Sequence, residues 1–476
     1  MLKSIRLQHF RSFEDEAVAE MAPITLIYGA NSAGKSSIIK ALLLLKQSYG
    51  DGGDDANTLR FDGPIVDLGS ARAAAFGHTF DPPLRISLDF ETPTDMDFVL
   101  SGSISFEVSS DEAKDDRIEV ALDIGENRYR LVFTKVSENQ RFLALDRLSV
   151  TDFNTAMKAL KERTHEQELF EGTSPGTKSP LFRISNLLPQ EIVGRNDGRT
   201  RRRPNDLLLS TEEREWNEVV APLLRKVFES TINRVSYLGP LRKAPNRIEL
   251  LDRSGGLSGV GKQGEFAFSV LKRDEALLSR VNKSLREHLE SPYALELPSW
   301  PNDSEGVIRD LLPVSVVPIL RHTDSGVAIS IADAGFGLSQ LLPFLIEMHS
   351  REETIICIEQ PELHLHPRLQ SRMAETLLNS RQGGNRNRFL IETHSEHLLL
   401  RIQRMIREKR LKSEDVSILY VDNHLVEHDS NGEIVRRSNS VDSRVIQIRL
   451  NRYGDMIDPW PGGFFDERLE ELGWSS

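Results

Sequence analysis

The clearest chemical signal in the sequence is a glycine-rich segment near its N-terminal end. Residues 29–36 match the pattern G-x-x-x-x-G-K-S, with a β-rich run before them and a helical pattern after them. In such a segment the main-chain amides curl around phosphates, and the N-terminus of the following helix adds partial positive charge. Lys35 would reach the β- and γ-phosphates, and the Ser36 hydroxyl would ligate Mg²⁺. The predicted phosphate-binding residues are Asn31, Ser32, Ala33, Gly34, Lys35, Ser36 and Ser37.

A carboxylate that could complete this chemistry stands at Glu359. It follows residues 355–358, an apolar run typical of a buried parallel strand. Such a strand delivers its last residue to the sheet edge where α/β proteins bind ligands, and a nucleotide-bound Mg²⁺ needs an oxygen ligand there. The next position holds Gln360, an amide that cannot act as a general base. Glu362 could take that role, or it could cap the following helix.

Two further segments carry residue types suited to a γ-phosphate. Gly337 and Ser339 lie at a predicted helix start, where they would form either a second anion-binding element or an ordinary helix cap. Because one subunit already has its phosphate loop, the second element suggests contact with a nucleotide held by a partner subunit. His394 ends the next predicted strand and could point at the γ-phosphate or at the attacking water.

The elements that position these residues follow from the spacing of apolar residues. Residues 24–28 predict a strand and residues 36–47 a helix, on either side of the glycine-rich segment. Short alternating runs between 65 and 150 predict an antiparallel sheet, whereas helical patterns dominate 155–300. No sustained heptad occurs, so a long coiled coil is not expected. The predicted domains are an N-terminal lobe with the phosphate loop and an antiparallel β-subdomain (1–150), a mostly helical insertion (151–310) and a C-terminal α/β lobe (311–476).

Composition narrows the class of protein. The 476 residues carry a net charge of −12, so the surface as a whole is not suited to nucleic acid. A local exception is a loop whose arginines could meet the phosphates of DNA or RNA, or could simply be solvated. These arginines are Arg195, Arg199, Arg201, Arg202 and Arg203. A single cysteine, no signal-peptide core and no membrane-length apolar run predict a cytoplasmic protein without a membrane partner.

Taken together, the motifs resemble an ABC-type ATPase head, in which two subunits sandwich two ATP molecules. More narrowly, the chain resembles the bacterial OLD-like and SMC-like AAA ATPases that end in a DUF3696 domain. The resemblance implies an α/β fold in which a mixed and parallel sheet carries the phosphate loop, with the antiparallel lobe and the helical insertion added to it. The segments that carry the resemblance are 31–37, 237–242, 335–343, 359–367, 392–397 and the tail 457–467.

The resemblance also implies a role for each candidate residue. The roles are Walker A for Lys35 and Ser36, Walker B metal ligand for Glu359, signature motif acting in trans for Gly337 and Ser339, and switch histidine for His394. Arg11 would contact the nucleotide, residues 365–367 would form the D-loop, and Gln47 or the segment 66–70 would provide the Q-loop. ABC-type heads usually place the catalytic glutamate directly after the Walker B acid, where this chain has Gln360. The catalytic candidates are therefore Glu362, Gln360 and His394, and hydrolysis should be slow.

The implied function is that of an ATP-binding, slowly hydrolysing subunit that dimerises around ATP with Mg²⁺. Similar ATPases of bacterial anti-phage defence, such as the Septu ATPase, work with a separate HNH-type nuclease, so we expect a homodimer or higher homo-oligomer that regulates such an effector. DNA or RNA would be reached through that partner or through the 195–203 loop. The chain itself should not be a nuclease, because Asp422 stands without the other acidic residues of a Toprim site. Two alternatives are a DNA-repair or chromosome-maintenance ATPase head and a non-hydrolysing scaffold stabilised by ATP.

Overall fold

The computed structural model describes most of the chain, with several gaps. The described residues are 1–50, 59–91, 101–111, 116–124, 127–135, 142–147, 180–185, 187–195, 217–218, 221–252, 259–300, 315–428 and 434–461. The helices are α1 (Lys35–Gly50), α2 (Ala71–Ala74), α3 (Ala221–Ile232), α4 (Ala267–Arg273), α5 (Glu275–Lys283), α6 (Phe336–Ser350), α7 (Pro367–Ser380) and α8 (Glu396–Arg407).

The strands are numbered along the chain in the same way. The first ten are β1 (Leu2–Gln8), β2 (Ala17–Glu20), β3 (Ile24–Gly29), β4 (Leu84–Glu91), β5 (Ser101–Val108), β6 (Arg117–Ile124), β7 (Asn127–Lys135), β8 (Phe142–Arg147), β9 (Pro180–Ser185) and β10 (Leu188–Arg195). The others are β11 (Val235–Leu238), β12 (Glu249–Leu250), β13 (Tyr293–Glu296), β14 (Ser299–Trp300), β15 (Ser315–Val316), β16 (Ile319–His322), β17 (Ala328–Ser330), β18 (Ile355–Glu359), β19 (Arg388–Glu392), β20 (Val416–His428) and β21 (Ile434–Ile448).

The larger sheet of the described chain is antiparallel throughout. Its order is β10-β9-β8-β7-β6-β5-β4-β1-β2, so most neighbours in sequence are also neighbours in the sheet. In β4 the side chains of Leu84, Ile86 and Leu88 are buried at every second position, as the period of a strand requires. The alternating runs predicted at 84–88 and 118–122 lie in β4 and β6, which confirms the predicted antiparallel sheet.

The second sheet has parallel strands at its centre. Its order is β11-β18-β19-β3-β20-β21, and the first four strands run parallel. All residues of β3 and β18 are buried, because helices cover both faces of such a sheet. The apolar faces of α6, α7 and α8 belong to the same core, in which Leu345, Leu377 and Ile402 join Ile356 and Ile391. The predicted α/β class is therefore confirmed.

The described residues form two compact units that are not consecutive in sequence. The first unit consists of Met1–Met21, Ala30–Arg234 and Val421–Val445, and it contains the antiparallel sheet with α1, α2 and α3. The second unit consists of Ala22–Gly29, Val235–Tyr420 and Ile446–Ser476, and it contains β3, β11, β18 and β19 with α4 to α8. The predicted phosphate-binding residues 31–37, Arg11 and both Q-loop candidates belong to the first unit. The second unit contains Gly337, Ser339, Glu359, Gln360, Glu362 and His394.

The segment predicted as a mostly helical insertion contains strands as well as helices. The helical patterns near 211–230 and 266–290 correspond to α3 and to α4 with α5. However, β9 and β10 extend the antiparallel sheet, because pairing with β8 decides their structure and local periodicity does not reveal it. The predicted helix at 155–170 and the arginines at 199–203 lie outside the described residues, while Arg195 ends β10. Among the helices that the structure describes, none has both the length and the apolar character needed to cross a membrane.

Candidate nucleotide site

The phosphate loop leaves β3 at Gly29 and runs into the first turn of α1. Ser32 and Gly34 have positive φ angles of 64° and 95°, which turn the main chain back on itself. A Cβ atom at Gly34 would overlap the hydroxyl of Ser12, so a glycine is required there. Lys35 is buried, and its Nζ donates a hydrogen bond to the carbonyl of Ala30 at 2.7 Å. The loop thus holds its lysine over its own main chain, as expected of a phosphate-binding loop.

Arg11 lies beside this loop, within the same unit. Its Nε donates to the hydroxyl of Ser37 at 3.2 Å, and its main-chain amide donates to the carbonyl of Ala74. Partial burial lowers the pKa of Arg11 below its ordinary value. A guanidinium this close to the phosphate loop is placed to meet an anion bound there.

Gln47, one of the two Q-loop candidates, is buried in α1. Its amide nitrogen donates to the carbonyls of Arg60 and Val66 at 2.5 and 2.9 Å, and its amide oxygen accepts from the Val66 amide at 2.9 Å. The side chain therefore fastens the segment that begins at Arg60 to α1. The two regions suggested for the Q-loop, Gln47 and residues 66–70, are joined by these hydrogen bonds.

Parallel pairing brings several acidic residues to one edge of the second sheet. Glu359 and Glu392 are the last residues of β18 and β19 and are direct partners in register, and Glu392 pairs in turn with Ile27 near the end of β3. Both glutamates are buried, with 7% and 5% of their surface exposed. The hydroxyl of Tyr237 donates to Glu359 Oε1 at 3.1 Å. Burial, together with the charge of Glu359, raises the pKa of Tyr237 above its usual value, so the phenol keeps the proton that it donates.

The chain turns sharply after β18. Gln360 has a positive φ of 44°, and its amide donates to the carbonyl of Glu392 at 2.7 Å. Glu362 does not cap the next helix: His366 does, because its ring accepts from the amide of Arg368. Of the two roles open to Glu362 in the sequence, the helix cap is thereby removed.

Glu362 and His394 are instead brought together by this turn. The main-chain amide of His394 donates to Glu362 Oε1 at 2.6 Å. The other carboxylate oxygen of Glu362 is buried and has no hydrogen-bond partner among the described residues. Burial raises the pKa of Glu362, and the hydrogen bond from His394 opposes this rise. A carboxyl group with a raised pKa and a free oxygen is suited to accept a proton.

The segment that carries His394 is fastened to the end of β3. The Thr393 amide donates to the carbonyl of Ile27, and the buried Tyr28 hydroxyl donates to the carbonyl of Ser395 at 3.0 Å. Ser395 caps α8 by accepting from the amide of Leu398. These bonds hold His394 at the strand end from which the phosphate loop departs.

The signature segment forms the first turn of α6, with Gly337 and Ser339 in that turn. Ser339 is buried, with 6% of its surface exposed. Gly337 lies so close to residue 364 that an added Cβ would be 2.8 Å from the carbonyl oxygen of His364. The predicted signature segment and the segment that leads into the predicted D-loop are thus in direct contact within one unit.

We expect Gly337→Ala to lower the melting temperature because its Cβ would press on the His364 carbonyl. Such overpacking costs about 1–3 kcal/mol, or roughly 1–3 °C in a chain of 476 residues. Gly335→Ala is the matched control, since no atom lies within 4 Å of the position where its Cβ would be. Thermal unfolding of both variants measures the difference, and equal melting temperatures would contradict the close approach.

The donor set at the site suits Mg²⁺. Among the described residues no group of three or more His, Cys, Asp or Glu side chains could hold a metal ion. A nucleotide-bound Mg²⁺ does not need such a group, because phosphates and water supply most of its ligands and the protein adds one or two oxygens. The hydroxyl of Ser36 in the first unit and the carboxylate of Glu359 in the second are each an oxygen donor of the kind that Mg²⁺ prefers.

Sequence reasoning assigned no role to Tyr237, Arg242 or Glu392. All three stand in segments that carried the family resemblance, but only the pairing of strands places them at Glu359. Glu392 follows from the register of β18 and β19, and Tyr237 from the parallel pairing of β11 with β18. The short β-rich run 235–238, which ends at a glycine, is the sequence signal that could have placed Tyr237 in a strand.

Comparison with solved structures finds similar chains at low sequence identity. Among solved structures the chain is similar to the SMC head domain from Thermotoga maritima, with 12% identity and a TM-score of 0.39 over 94% of this chain and 99% of that one. It is also similar to an SMC head bound to the C-terminal winged-helix domain of ScpA, with 14% identity and a TM-score of 0.41 over 95% and 98% of the two chains. A third match is an SMC head with an extended coiled coil, bound to the C-terminal domain of ScpA from Pyrococcus furiosus, with 12% identity and a TM-score of 0.39 over 99% and 98%.

No curated protein matches the sequence. A family model described as the AAA ATPase domain does match, and it spans residues 1–399, from β1 into α8. That range contains the phosphate loop, the signature segment, Glu359, Glu362 and His394. The chain therefore belongs to the AAA ATPase domain family.

Proposed function

We propose that the protein binds ATP with Mg²⁺ between two copies of itself and hydrolyses it slowly. The observation that carries this proposal is the edge of the parallel sheet, where β18, β19 and β3 end side by side. There Glu359 stands beside Glu392, and Glu362 is bonded to the main chain of His394. An acidic residue for a metal, a buried carboxyl for a proton and a histidine are groups that can assist the attack of water on a phosphate.

In this proposal each motif has one task. The phosphate loop, with Lys35 and Ser36, holds the β- and γ-phosphates, and Arg11 adds a charge beside it. Glu359 is a ligand of Mg²⁺, which neutralises charge that develops on the phosphates. Ser339 at the start of α6 meets the γ-phosphate of the partner's nucleotide.

Two features favour slow turnover. Gln360 holds the position of the usual catalytic base, and its strained turn is stabilised by the hydrogen bond to Glu392. Glu362 is the remaining candidate base, but one of its oxygens is already bonded to the His394 amide. A second candidate function, a non-hydrolysing scaffold locked by ATP, follows if Glu362 does not act as the base.

The biological role that we propose is control of a separate effector in anti-phage defence. The support is the resemblance of the motif segments, with the tail from residue 457, to the DUF3696-bearing ATPases and to the Septu ATPase. The effector would be an HNH-type nuclease, held or released according to the nucleotide state. A cytoplasmic location accords with the one cysteine of the chain, which is buried in β18. A chromosome-maintenance head, the other alternative, would instead show turnover stimulated by DNA.

The test of the shared site is a mixing experiment. Lys35→Ala lacks the phosphate-loop lysine, and Ser339→Asp places a negative charge where the partner's γ-phosphate would lie. Each variant alone should stay monomeric with Mg·ATP by light scattering, whereas the wild type should dimerise. A mixture of the two variants should form a dimer, because one of its two sites combines an intact Lys35 with an intact Ser339.

The controls separate binding from assembly. Ser339→Asp should still bind a fluorescent ATP analogue, and both variants should unfold near the wild-type temperature. Dimers formed by either variant alone, or a mixture that stays monomeric, would contradict the shared site. Phosphate release measured in the same samples, with and without DNA, distinguishes the regulatory subunit from the chromosome-maintenance head.

A further inference from the structure

The segment 237–242 occupies a position that its sequence did not reveal. β11 pairs in parallel with β18, and Leu238 is the partner of Ile358. The chain therefore leaves the sheet at Gly239, alongside Glu359. Two side chains of this segment, Tyr237 and Arg242, reach the end of β18.

Tyr237 and Arg242 hold Glu359 at different atoms. The Tyr237 hydroxyl donates to the carboxylate oxygen Oε1 at 3.1 Å. Arg242 donates from one guanidinium nitrogen to the Glu359 carbonyl at 3.1 Å, and from the other to the Gln360 carbonyl at 3.2 Å. The side chain and the main chain of the proposed metal ligand are thus both fixed by one short segment.

Arg242 is buried far more deeply than an arginine on a protein surface. It has 6% of its surface exposed, and its Nε is buried with no hydrogen-bond partner in the described part of the chain. Burial lowers the pKa of Arg242 to about 10, while the negative charge of Glu362 opposes that change. Burial of a guanidinium costs free energy of folding. Here each of its two terminal nitrogens donates a hydrogen bond to a main-chain carbonyl.

Arg242 is also hydrogen-bonded to α6, the helix that begins with the predicted signature segment. The side-chain amide of Gln340 donates to the carbonyl of Arg242 at 3.4 Å. Gln340 follows Ser339 in the first turns of α6. One residue therefore connects the end of β18 with the helix that carries the predicted signature serine.

We propose that Tyr237 and Arg242 are positioning residues that orient the carboxylate of Glu359 toward a nucleotide-bound Mg²⁺. This inference rests on the proposed role of Glu359 as a metal ligand. Groups that hydrogen-bond a metal ligand and fix its orientation change metal affinity by about 10- to 100-fold when they are removed. Neither residue touches the nucleotide in this proposal, so nucleotide affinity without metal should not depend on them.

The experiment titrates Mg²⁺ against binding of a fluorescent ATP analogue by the full-length protein. Tyr237→Phe removes one hydroxyl and keeps the ring, so the variant should fold. In this variant the Mg²⁺ concentration that gives half of the maximal binding of the analogue, here called the Mg²⁺ midpoint, should rise about tenfold. Affinity for the analogue in the presence of EDTA should stay within about twofold of the wild type, since the phosphate loop is unchanged. Arg242→Met should shift the Mg²⁺ midpoint at least as far, and Arg242→Lys should restore part of it.

Matched controls come from the same unit. Tyr293→Phe changes a half-buried tyrosine on β13, and Arg247→Met removes an exposed arginine that pairs with Asp333. Neither should move the Mg²⁺ midpoint. A purely structural role for Tyr237 and Arg242 would lower the melting temperature, or weaken binding equally with and without metal, and would overturn the proposal.

Glu359→Gln separates this inference from the proposed function. If Glu359→Gln raises the Mg²⁺ midpoint but Tyr237→Phe and Arg242→Met do not, the positioning role is wrong and the metal ligand stands. If Glu359→Gln leaves the midpoint unchanged, or the wild type binds no analogue, the proposed role of Glu359 is wrong and the positioning role falls with it. A rise in all three variants, with EDTA affinity intact, supports both.

Discussion

Lys35→Ala should abolish ATP binding and leave the fold in place. The Lys35 amine is buried at the start of α1 and donates a hydrogen bond to the carbonyl of Ala30, five residues earlier in the chain. A nucleotide would offer that amine phosphate oxygens, and a charged hydrogen bond of this kind contributes about 1.5–3 kcal/mol. Because Lys35 would reach both the β- and the γ-phosphate, two such bonds are lost, and we expect ATP affinity to fall at least about 100-fold.

Lys40→Ala is the control for the loss of a lysine from the same helix. Lys40 lies on α1, one turn beyond the phosphate loop. Isothermal titration with Mg·ATP should give wild-type affinity for Lys40→Ala and no measurable heat for Lys35→Ala. If both variants bound Mg·ATP with equal affinity and had equal melting temperatures, the phosphate loop would not be part of the ATP site.

Glu362→Gln should reduce phosphate release at least about 100-fold, the range in which removal of a positioned acid-base group falls. ATP affinity should change less than about threefold, because the amide oxygen can still accept the hydrogen bond from the His394 amide. Only the proton-accepting function is lost. The ATP-bound dimer should consequently persist in this variant, as a longer-lived species in light scattering.

Burial of Glu362 also predicts the pH dependence of turnover. Because its pKa is raised above 4.5, the carboxylate that accepts a proton is lost progressively as the pH falls toward that raised value. Turnover should therefore rise with pH through the raised pKa and then level off. Glu362→Gln should lack this acidic limb, whereas Glu414→Gln, at an exposed ion pair with Lys412, should retain it.

Gln360→Glu is the variant that decides between an ATPase and an ATP lock. It supplies a carboxylate at the position where similar heads have their base. Two results together would show that the wild type uses ATP to hold its assembly. Gln360→Glu would gain turnover, and Glu362→Gln would leave phosphate release unchanged. Turnover lost in Glu362→Gln assigns the base to Glu362.

Much of the site could be predicted because its residues sit in short local patterns. The glycine-rich segment, the apolar run before Glu359 and the strand before His394 are each defined by neighbours in sequence, and β3, β18 and β19 lie where these patterns indicate. The antiparallel strands β4 and β6 follow in the same way from alternation. Local patterns suffice where one element carries both the signal and the chemical group.

Other features depend on contacts between distant segments and could not be predicted. The sequence left Glu362 as either base or helix cap. The structure shows that His366 caps α7 instead, and that Glu362 accepts a hydrogen bond from the amide of His394, 32 residues later. Tyr237 and Arg242 acquire their meaning from contacts with Glu359 more than 100 residues away. The predicted order of consecutive domains likewise differs from the observed units, because strand pairing joins residues 22–29 to segments at the other end of the chain.

The pairing of β3 has a consequence for synthesis of the protein on the ribosome. The partner of Ile24 in the sheet is Phe389, so roughly 365 residues must be translated before β3 can pair on that side. At about 5–20 residues per second, the nascent chain waits roughly 20–70 s with this apolar strand unpaired. All six residues of β3 are buried in the finished protein, and the phosphate loop follows directly. The strand that precedes the loop is thus synthesised early and pairs late, and we expect it to need protection from aggregation during translation.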